Sequence, residues 1–430
     1  MLSHEENDYL CRVGPGTPMG AALRRYWIPA CLSADLPEAD SDPVRIRRVG
    51  EDLVAFRDTN GVVGILDEQC CHRGASLAFG RVEECGIRCL YHGWKYAVDG
   101  TILETPNMAD SRYRQAIKAP AYPVCEVGDI VWVYLGPPEL IPPEPAFNWT
   151  SVSSTNRFVF EMIQDNCNYV QALEGGLDSS HVGILHSDEV KIIQAGEYDP
   201  TGIGRDRYPS TDAAPRLEVE DTSFGFHYAA IRDGDEPGTS YVRITPYVMP
   251  FMTYPPGNVA VMRVPIDDDS TAVISVVYDE HTSPDRDYAL ARHGMNRPEV
   301  YGVDKRLRIE RQDREAMRKK ESWSGIFGFN PQDGAMTMNM GGPIFDRTRE
   351  HLVPADYAII RMRKTLIDAA RAVEEGKEPV GISLDLDGRG IQCGSGLIAE
   401  GARWQDLVPG NQAEPQGISR LNAAPLPRRR

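Results

Sequence analysis

The sequence predicts an α+β protein, with a small all-β domain followed by a larger α+β domain, on three observations. Apolar residues alternate with period two from Val44 onward. A proline-rich run, PPELIPPEP at 137–145, then interrupts the chain, and beyond it strand patterns mix with helical ones.

In chain order, residues 1–39 form an N-terminal helical segment with Leu10, Met19, Leu23 and Tyr26 at helical spacing, ending at WIPAC. Residues 40–145 are the β domain. VRIRRV alternates, LVAF and VVGIL flank the hairpin dipeptide Asn60-Gly61, KYAVDGTIL repeats the device at Asp99-Gly100, and IVWVYLG is a further strand. The prolines after it cannot continue a sheet and favour an extended linker. Residues 146–375 are the α+β domain. EMIQDNCNYVQALEGGLDSSHVGILH starts as a helix, RLEVE, FGFHYAAI, SYVRITPYVM, VAVMRVPI and TAVISVVYDE read as strands, and YAIIRMRKTLIDAARAVEEG closes as a long amphipathic helix. The tail, 376–430, ends in PLPRRR, has little apolar content and is expected to be mobile.

With 430 residues, 41% of them hydrophobic, the chain can bury a sizeable core. A formal charge of −17 repels polyanions, so nucleic acid and anionic membrane are poor partners. No apolar run reaches the length of a membrane span and MLSHEENDYL lacks a secretory layout, which makes the cytoplasm the expected location. Nine cysteines, an odd number scattered from Cys11 to Cys393, do not form a disulfide framework.

Chemistry concentrates in CCHRGASLAFGRVEECGIRCLYHGW, residues 70–94. Cys70-x-His72 and Cys89-x-x-His92 place one thiol and one imidazole in each of two loops. Zinc sites commonly pair Cys with Cys and His with His, whereas a [2Fe-2S] centre of the Rieske kind takes two thiolates on one iron and two imidazoles on the other, which mixed loops satisfy. Cys71 and Cys85 are surplus thiols, better suited to packing or to supporting the cluster than to ligating it.

CxHRG followed by CxYHGWxY and a DG turn resembles the Rieske domain of the ring-hydroxylating oxygenase large subunits. The resemblance implies that Gly74 and Gly93 let backbone amides approach the cluster sulfurs, and that Trp94 and Tyr96 cover it from water. It also implies that the second domain is a helix-grip, START-like antiparallel sheet holding a mononuclear Fe(II).

The site for that iron is sought in EGGLDSSHVGILH. Asp178 and His181 lie three apart, as a carboxylate that orients an imidazole does. His181 and His186, five apart, share one metal only if the helix ends or bulges between them, where Gly183 sits. Two histidines and a carboxylate form the facial triad of dioxygen-activating non-haem iron enzymes. Asp333, Asp346 and Asp356 all lie in the right part of the chain for the third ligand. The resemblance selects Asp333, while Asp346 reads as the partner of Arg347 and Asp356 as a cap of the last helix. In this family the cluster of one subunit feeds the iron of the next around a trimeric ring. His92 of one chain is accordingly expected to meet the catalytic Asp178 of its neighbour, in a homotrimer or a hexamer of stacked trimers.

The resemblance is strongest to the phthalate and halobenzoate type. It implies NADH-driven cis-dihydroxylation of an aromatic carboxylate with O2, phthalate or isophthalate first. No GxGxxG follows a strand, so a separate flavin or iron-sulfur reductase takes the NADH. Arg207 and Arg243 are the expected carboxylate-binding residues, with Arg205 the alternative to Arg207 and a surface ion pair to Asp206 or Glu236 the competing role. Arg243 lies between Val242 and Ile244, so if those two are core it faces outward or into a cavity. A 3-chlorobenzoate dioxygenase and an O-demethylase of methoxybenzoates share the metal residues. A plain electron carrier or a zinc-binding protein would not need the second domain.

Overall fold

The computed structural model describes residues 2–108, 111–189, 212–309, 312–382, 387–408 and 419–420. The first half carries two four-stranded antiparallel sheets. One runs Val44–Arg48, Glu51–Arg57, Val63–Asp67 and Ala121–Tyr122, and the other Arg81–Glu83, Gly86–Arg88, Lys95–Tyr96 and Ile102–Glu104. Both hairpin dipeptides turn where expected: Gly61 (φ +81°) joins the pair Leu53–Arg57 and Val63–Asp67, and Gly100 (φ +82°) joins Lys95–Tyr96 to Ile102–Glu104.

The opening segment departs from the helical expectation. His4–Cys11 and Pro18–Leu23 are helices, but Trp27–Leu32 is a strand paired with Ile130–Tyr134 in a third sheet. WIPACL is apolar almost throughout and both its faces are covered, so continuous burial hides the strand that ends the segment. The prolines behind Ile130–Tyr134 pack back on this sheet, where Trp27 Nε1 donates to the Pro142 and Pro143 carbonyls at 3.1 and 3.0 Å.

The second half is a nine-stranded antiparallel sheet. Its main path runs Arg157–Asp165, Ser270–Tyr278, Val259–Pro265, Met252–Thr253, Thr239–Val248, Gly225–Asp233 and Arg216–Thr222, with Gly394–Ala399 added beside Thr239–Val248 and Ser419–Arg420 beside that, so part of the stretch expected to be a mobile tail belongs to the sheet. EMIQD, expected to begin a helix, is the end of the strand Arg157–Asp165, and the helix starts only at Tyr169, where the Asn168 side chain accepts from Val170 N at 3.1 Å. Helices Tyr169–Leu177 and Phe329–Thr337 lie over one face of this sheet, and Tyr357–Glu374, amphipathic as expected, packs its buried Met362 and Leu366 into the core that the N-terminal helices share. Among the described residues no helix is long and apolar enough to cross a membrane.

A buried ionic knot ties these layers together. Glu174 receives Arg347 Nε at 2.8 Å and Arg363 Nε at 2.7 Å, and Arg347 also donates to Asn7 Oδ1 at 3.0 Å. The expected pairing of Asp346 with Arg347 is therefore wrong: adjacent side chains diverge, and Asp346 instead accepts from Thr348. Asp356 stands at the start of Tyr357–Glu374 and accepts from Val353 N at 2.8 Å.

Candidate metal centres and substrate cavity

The two Cys/His loops are built on one plan. Gly74 N donates to Cys70 O at 2.8 Å and Gly93 N to Cys89 O at 2.9 Å, while Cys70 N donates to Ala75 O and Cys89 N to Trp94 O, both at 2.8 Å. Gly74 and Gly93 have φ of +72° and +75°, the left-handed region that disfavours a side chain. The thiols are buried and the imidazoles less so, with the His72 and His92 rings 4.5 Å apart and Trp94 stacked on His72 at 4.6 Å. Tyr96, fully buried, places its hydroxyl 2.9 Å from Cys70 Sγ.

Burial pushes the Cys89 thiol up in pKa, the Tyr91 and His92 backbone amides pull it down, and the neighbouring Cys70 adds to the rise. His92 Nδ1 is buried with no hydrogen-bond partner among the described residues, which suits a metal-ligating atom. The four side chains do not converge on one point. Among the described residues the only group of three or more such side chains with all its ligand atoms within 4.8 Å of one another is His181, His186 and Asp333. A tetrahedral zinc holds its donors at about 2.0–2.3 Å and so within about 4 Å of each other. Two thiols at one end and two imidazoles at the other fit a two-iron cluster instead. Cys71 and Cys85 are exposed rather than packed, Cys71 Sγ 3.5 Å from the Tyr96 hydroxyl and Cys85 Sγ accepting from Asn60 Nδ2 at 3.2 Å.

The second centre forms where helix Tyr169–Leu177 stops. Asp178 ends it, its Oδ1 accepting from Ser180 N at 2.7 Å, and a single turn, Val182–Leu185, follows with His181 at its start and His186 at its end. The chain thus breaks between Asp178 and His181 as well as at His186, and the two rings stand 5.0 Å apart at 71°. Helix Phe329–Thr337 brings Asp333 against them, with Oδ1 2.9 Å from His186 Nε2 and 3.6 Å from His181 Nε2. Asp178 Oδ2 lies 3.3 Å from His181 Nδ1. Burial pulls the His181 pKa down, but Asp178 and Asp333 outweigh it and hold it at about 10; burial pushes Asp333 up, and the two histidines bring it well below the usual carboxylate range. Two carboxylates facing one imidazole give a site whose charge suits a divalent cation.

Gln332 was not foreseen. Its Oε1 lies 2.6 Å from His186 Nδ1, while its Nε2 donates to Ile326 O at 2.8 Å and Ser324 Oγ at 3.2 Å. The amide therefore presents only its oxygen to the imidazole, which places a proton on Nδ1 and leaves Nε2, on the Asp333 side, as the atom that would ligate a metal.

Comparison with known proteins agrees with this geometry. Residues 26–123 match the family model of the Rieske [2Fe-2S] domain, and residues 133–418 that of the LigXa C-terminal domain. The chain is 39% identical to the phthalate 4,5-dioxygenase oxygenase subunit of Pseudomonas putida over 94% of each chain. It belongs to the Rieske non-haem iron oxygenases. It is also 35% identical to the 3-chlorobenzoate-3,4-dioxygenase oxygenase subunit of Comamonas testosteroni, over 89% of this chain and 92% of that one. The 5,5'-dehydrodivanillate O-demethylase oxygenase subunit of a Sphingobium strain is 31% identical over 90% and 84%. Among solved structures, dicamba monooxygenase bound to dicamba shares the fold at 17% identity (TM-score 0.55, 83% of this chain and 99% of that one). The protein is thus the oxygenase subunit of a Rieske system, with a [2Fe-2S] cluster and a mononuclear iron as its cofactors.

As in an oxygenase, a cavity opens beside the triad, between the helices and the inner face of the large sheet, with Met162, Tyr228, Val261 and Phe329 among its walls. Arg243 lines it. Val242 and Ile244 are fully buried in a separate core cluster, and of the two directions left open for Arg243 it takes the cavity; it is 5% exposed and its Nη1 has no partner among the described residues. Arg205 and Arg207 lie outside the described residues. Two further cavity residues escaped the sequence reading. His293, buried against Phe329, has no partner for its Nε2 among the described residues, and Arg263 projects from the strand Val259–Pro265. Burial pulls the Arg263 pKa down to about 10, against the opposing field of Asp333.

Proposed function

We propose that this oxygenase subunit dihydroxylates an aromatic dicarboxylate to a cis-dihydrodiol, phthalate at the 4,5-position or isophthalate, with electrons from NADH delivered by a separate flavin or iron-sulfur reductase. The observation that carries the reading is Arg243: a buried guanidinium with an orphaned Nη1, in the cavity that holds His181, His186 and Asp333. An unpaired buried cation costs several kcal/mol, about as much as a carboxylate ligand would return by bidentate pairing. The Pseudomonas putida phthalate 4,5-dioxygenase subunit, alike over nearly the whole chain, supports the same substrate class.

Cys70, His72, Cys89 and His92 would hold the cluster, and His181, His186 and Asp333 the mononuclear iron. When bound, the cluster supplies electrons and the iron the dioxygen chemistry. The chain's own work is positional. Gln332 keeps the His186 proton on Nδ1, Asp178 takes the Nδ1 side of His181, and Arg243 anchors a carboxylate while the apolar walls hold the ring and exclude water.

Asp178 is also the proposed bridge between subunits. Within one chain no hydrogen bond or ion pair joins it to either cluster histidine among the described residues. Leu90 and Tyr91 beside His92 are 60% and 58% exposed, and Ile184 and Met336 beside the iron ligands 46% and 45%, which gives two apolar rims for a neighbouring subunit to cover. The assembly proposed is a homotrimer or stacked-trimer hexamer in the cytoplasm.

Turnover with a surrogate reductase and 18O2 tests the reading. Phthalate or isophthalate should yield a dihydrodiol carrying both labelled oxygens. Formaldehyde from a methoxybenzoate would favour the O-demethylase reading that the Sphingobium relative raises, and activity confined to 3-chlorobenzoate the halobenzoate one.

A further inference from the structure

Several buried arginines of this protein lie against carboxylates: Arg48 on Glu161, Arg292 on Glu189, Arg347 on Glu174 and Arg363 on Glu350. Two arginines of the substrate cavity do not. Besides Arg243, Arg263 enters it with a single hydrogen bond, Nη1 to Thr253 Oγ1 at 2.9 Å, and among the described residues no carboxylate lies within 4.0 Å of its guanidinium.

Its placement is specific. In the strand Val259–Pro265, Met262 and Val264 are fully buried in the main core, so Val261 and Arg263 take the cavity face. The guanidinium fills space left by a glycine of the facing helix: a Cβ on Gly176 would fall 2.2 Å from Arg263 Cζ. Gly176 thus lets a strand arginine pass under the helix that ends in Asp178, toward the triad.

We propose that Arg263 is a specificity-determining residue: with Arg243 it makes the cavity a site for two carboxylates on one ring, and separates aromatic dicarboxylates from benzoates. This rests on the aromatic-carboxylate reading and adds the residue that sets its charge requirement. Arg243 alone satisfies a monocarboxylate; a second forked donor, idle with benzoate, is engaged only by the second carboxylate.

The test is equilibrium binding of phthalate and of benzoate to iron-loaded holoprotein, comparing wild type, R263M, R263K and R207M, with iron content measured alongside. R263M should weaken phthalate about 10- to 100-fold, the range of a lost charged hydrogen-bond pair, and leave benzoate within about threefold. R263K, which keeps the charge and loses the fork, should fall between for phthalate, with iron retained in both. Equal weakening of both ligands, loss of iron with the arginine, or a dicarboxylate-selective loss seen in R207M and absent in R263M would overturn the assignment. Wild type that binds neither ligand would remove the aromatic-carboxylate reading itself, and this one with it.

Discussion

Replacing Gln332 by Leu removes the acceptor 2.6 Å from His186 Nδ1 and nothing else that touches the proposed iron ligands. Gln332 is fully buried, so no water replaces the amide. The imidazole is then free to rotate or to move its proton to Nε2, the atom facing Asp333. Loss of such an outer hydrogen bond costs about 10- to 100-fold in metal affinity, roughly 1.4–2.8 kcal/mol. The variant also removes one of the two donors to Ile326 O, which keeps the Ser324 hydroxyl at 3.1 Å, a loss of about 0.5–1.5 kcal/mol that has no bearing on the metal. Gln332→Glu separates the two effects, because it restores an acceptor for Nδ1 while losing the donor to Ile326 O. The assay is iron retention against a graded chelator, with the cluster's visible absorbance as an internal count of folded chains. Gln332→Leu should release the mononuclear iron at about 10- to 100-fold lower chelator while the cluster stays, and Gln332→Glu should hold it nearer to wild type. Unchanged retention in Gln332→Leu would refute the claim that this amide fixes the His186 tautomer.

Three other outcomes follow from the same geometry. Asp178→Asn keeps the size of the side chain and loses its charge between His181 and the proposed neighbouring His92, so both metals should remain largely bound while product formation falls by at least about 100-fold; near-normal turnover would sink the bridge. Tyr96→Phe deletes the hydroxyl 2.9 Å from Cys70 Sγ, and because that hydrogen bond favours the more negative reduced cluster, voltammetry should show the potential lowered by roughly 20–60 mV. Burial pushes Glu174 up, but Arg347 and Arg363 hold it below the usual carboxylate range. Its contribution to stability is therefore complete above the unfolded value near 4.5 and fades as pH falls through the depressed folded value. Glu174→Ala, which leaves Arg347 uncompensated, should cost about 3–5 kcal/mol at pH 7, read as a lower unfolding midpoint, and that cost should shrink in acid.

The sequence exposed what is local and periodic. Asn60-Gly61 and Asp99-Gly100 announce their hairpins because a left-handed glycine is needed there, and the Cys/His loops announce themselves because ligand chemistry tolerates few residue types at few spacings. Val242 and Ile244 showed through alternation that Arg243 faces away from their core, without deciding between solvent and a cavity. The same argument applied to Met262 and Val264 identifies Arg263, a signal present and not used. Gln332 offered none: its role depends on helix Phe329–Thr337 meeting His186 from 146 residues away. WIPACL was misread because it is buried almost throughout and carries no period of two; EMIQD, the polar end of the alternating strand Arg157–Asp165, was misread because it runs within a few residues into the helix Tyr169–Leu177. Asp346 misled through adjacency, since neighbouring side chains diverge and the true partner of Arg347, Glu174, is distant in sequence.

The central claim is that electrons held at the Cys70/His72/Cys89/His92 cluster are spent on a carboxylated ring bound beside His181, His186 and Asp333. A single turnover tests it most directly. Protein reduced under anaerobic conditions and freed of reductant is mixed with phthalate and 18O2, and cluster oxidation is followed beside product. The account predicts that the reduced-cluster signal disappears as doubly labelled dihydrodiol forms, with no reductase present. Cluster oxidation that proceeds equally well without an aromatic carboxylate, and yields no labelled product with one, would contradict it.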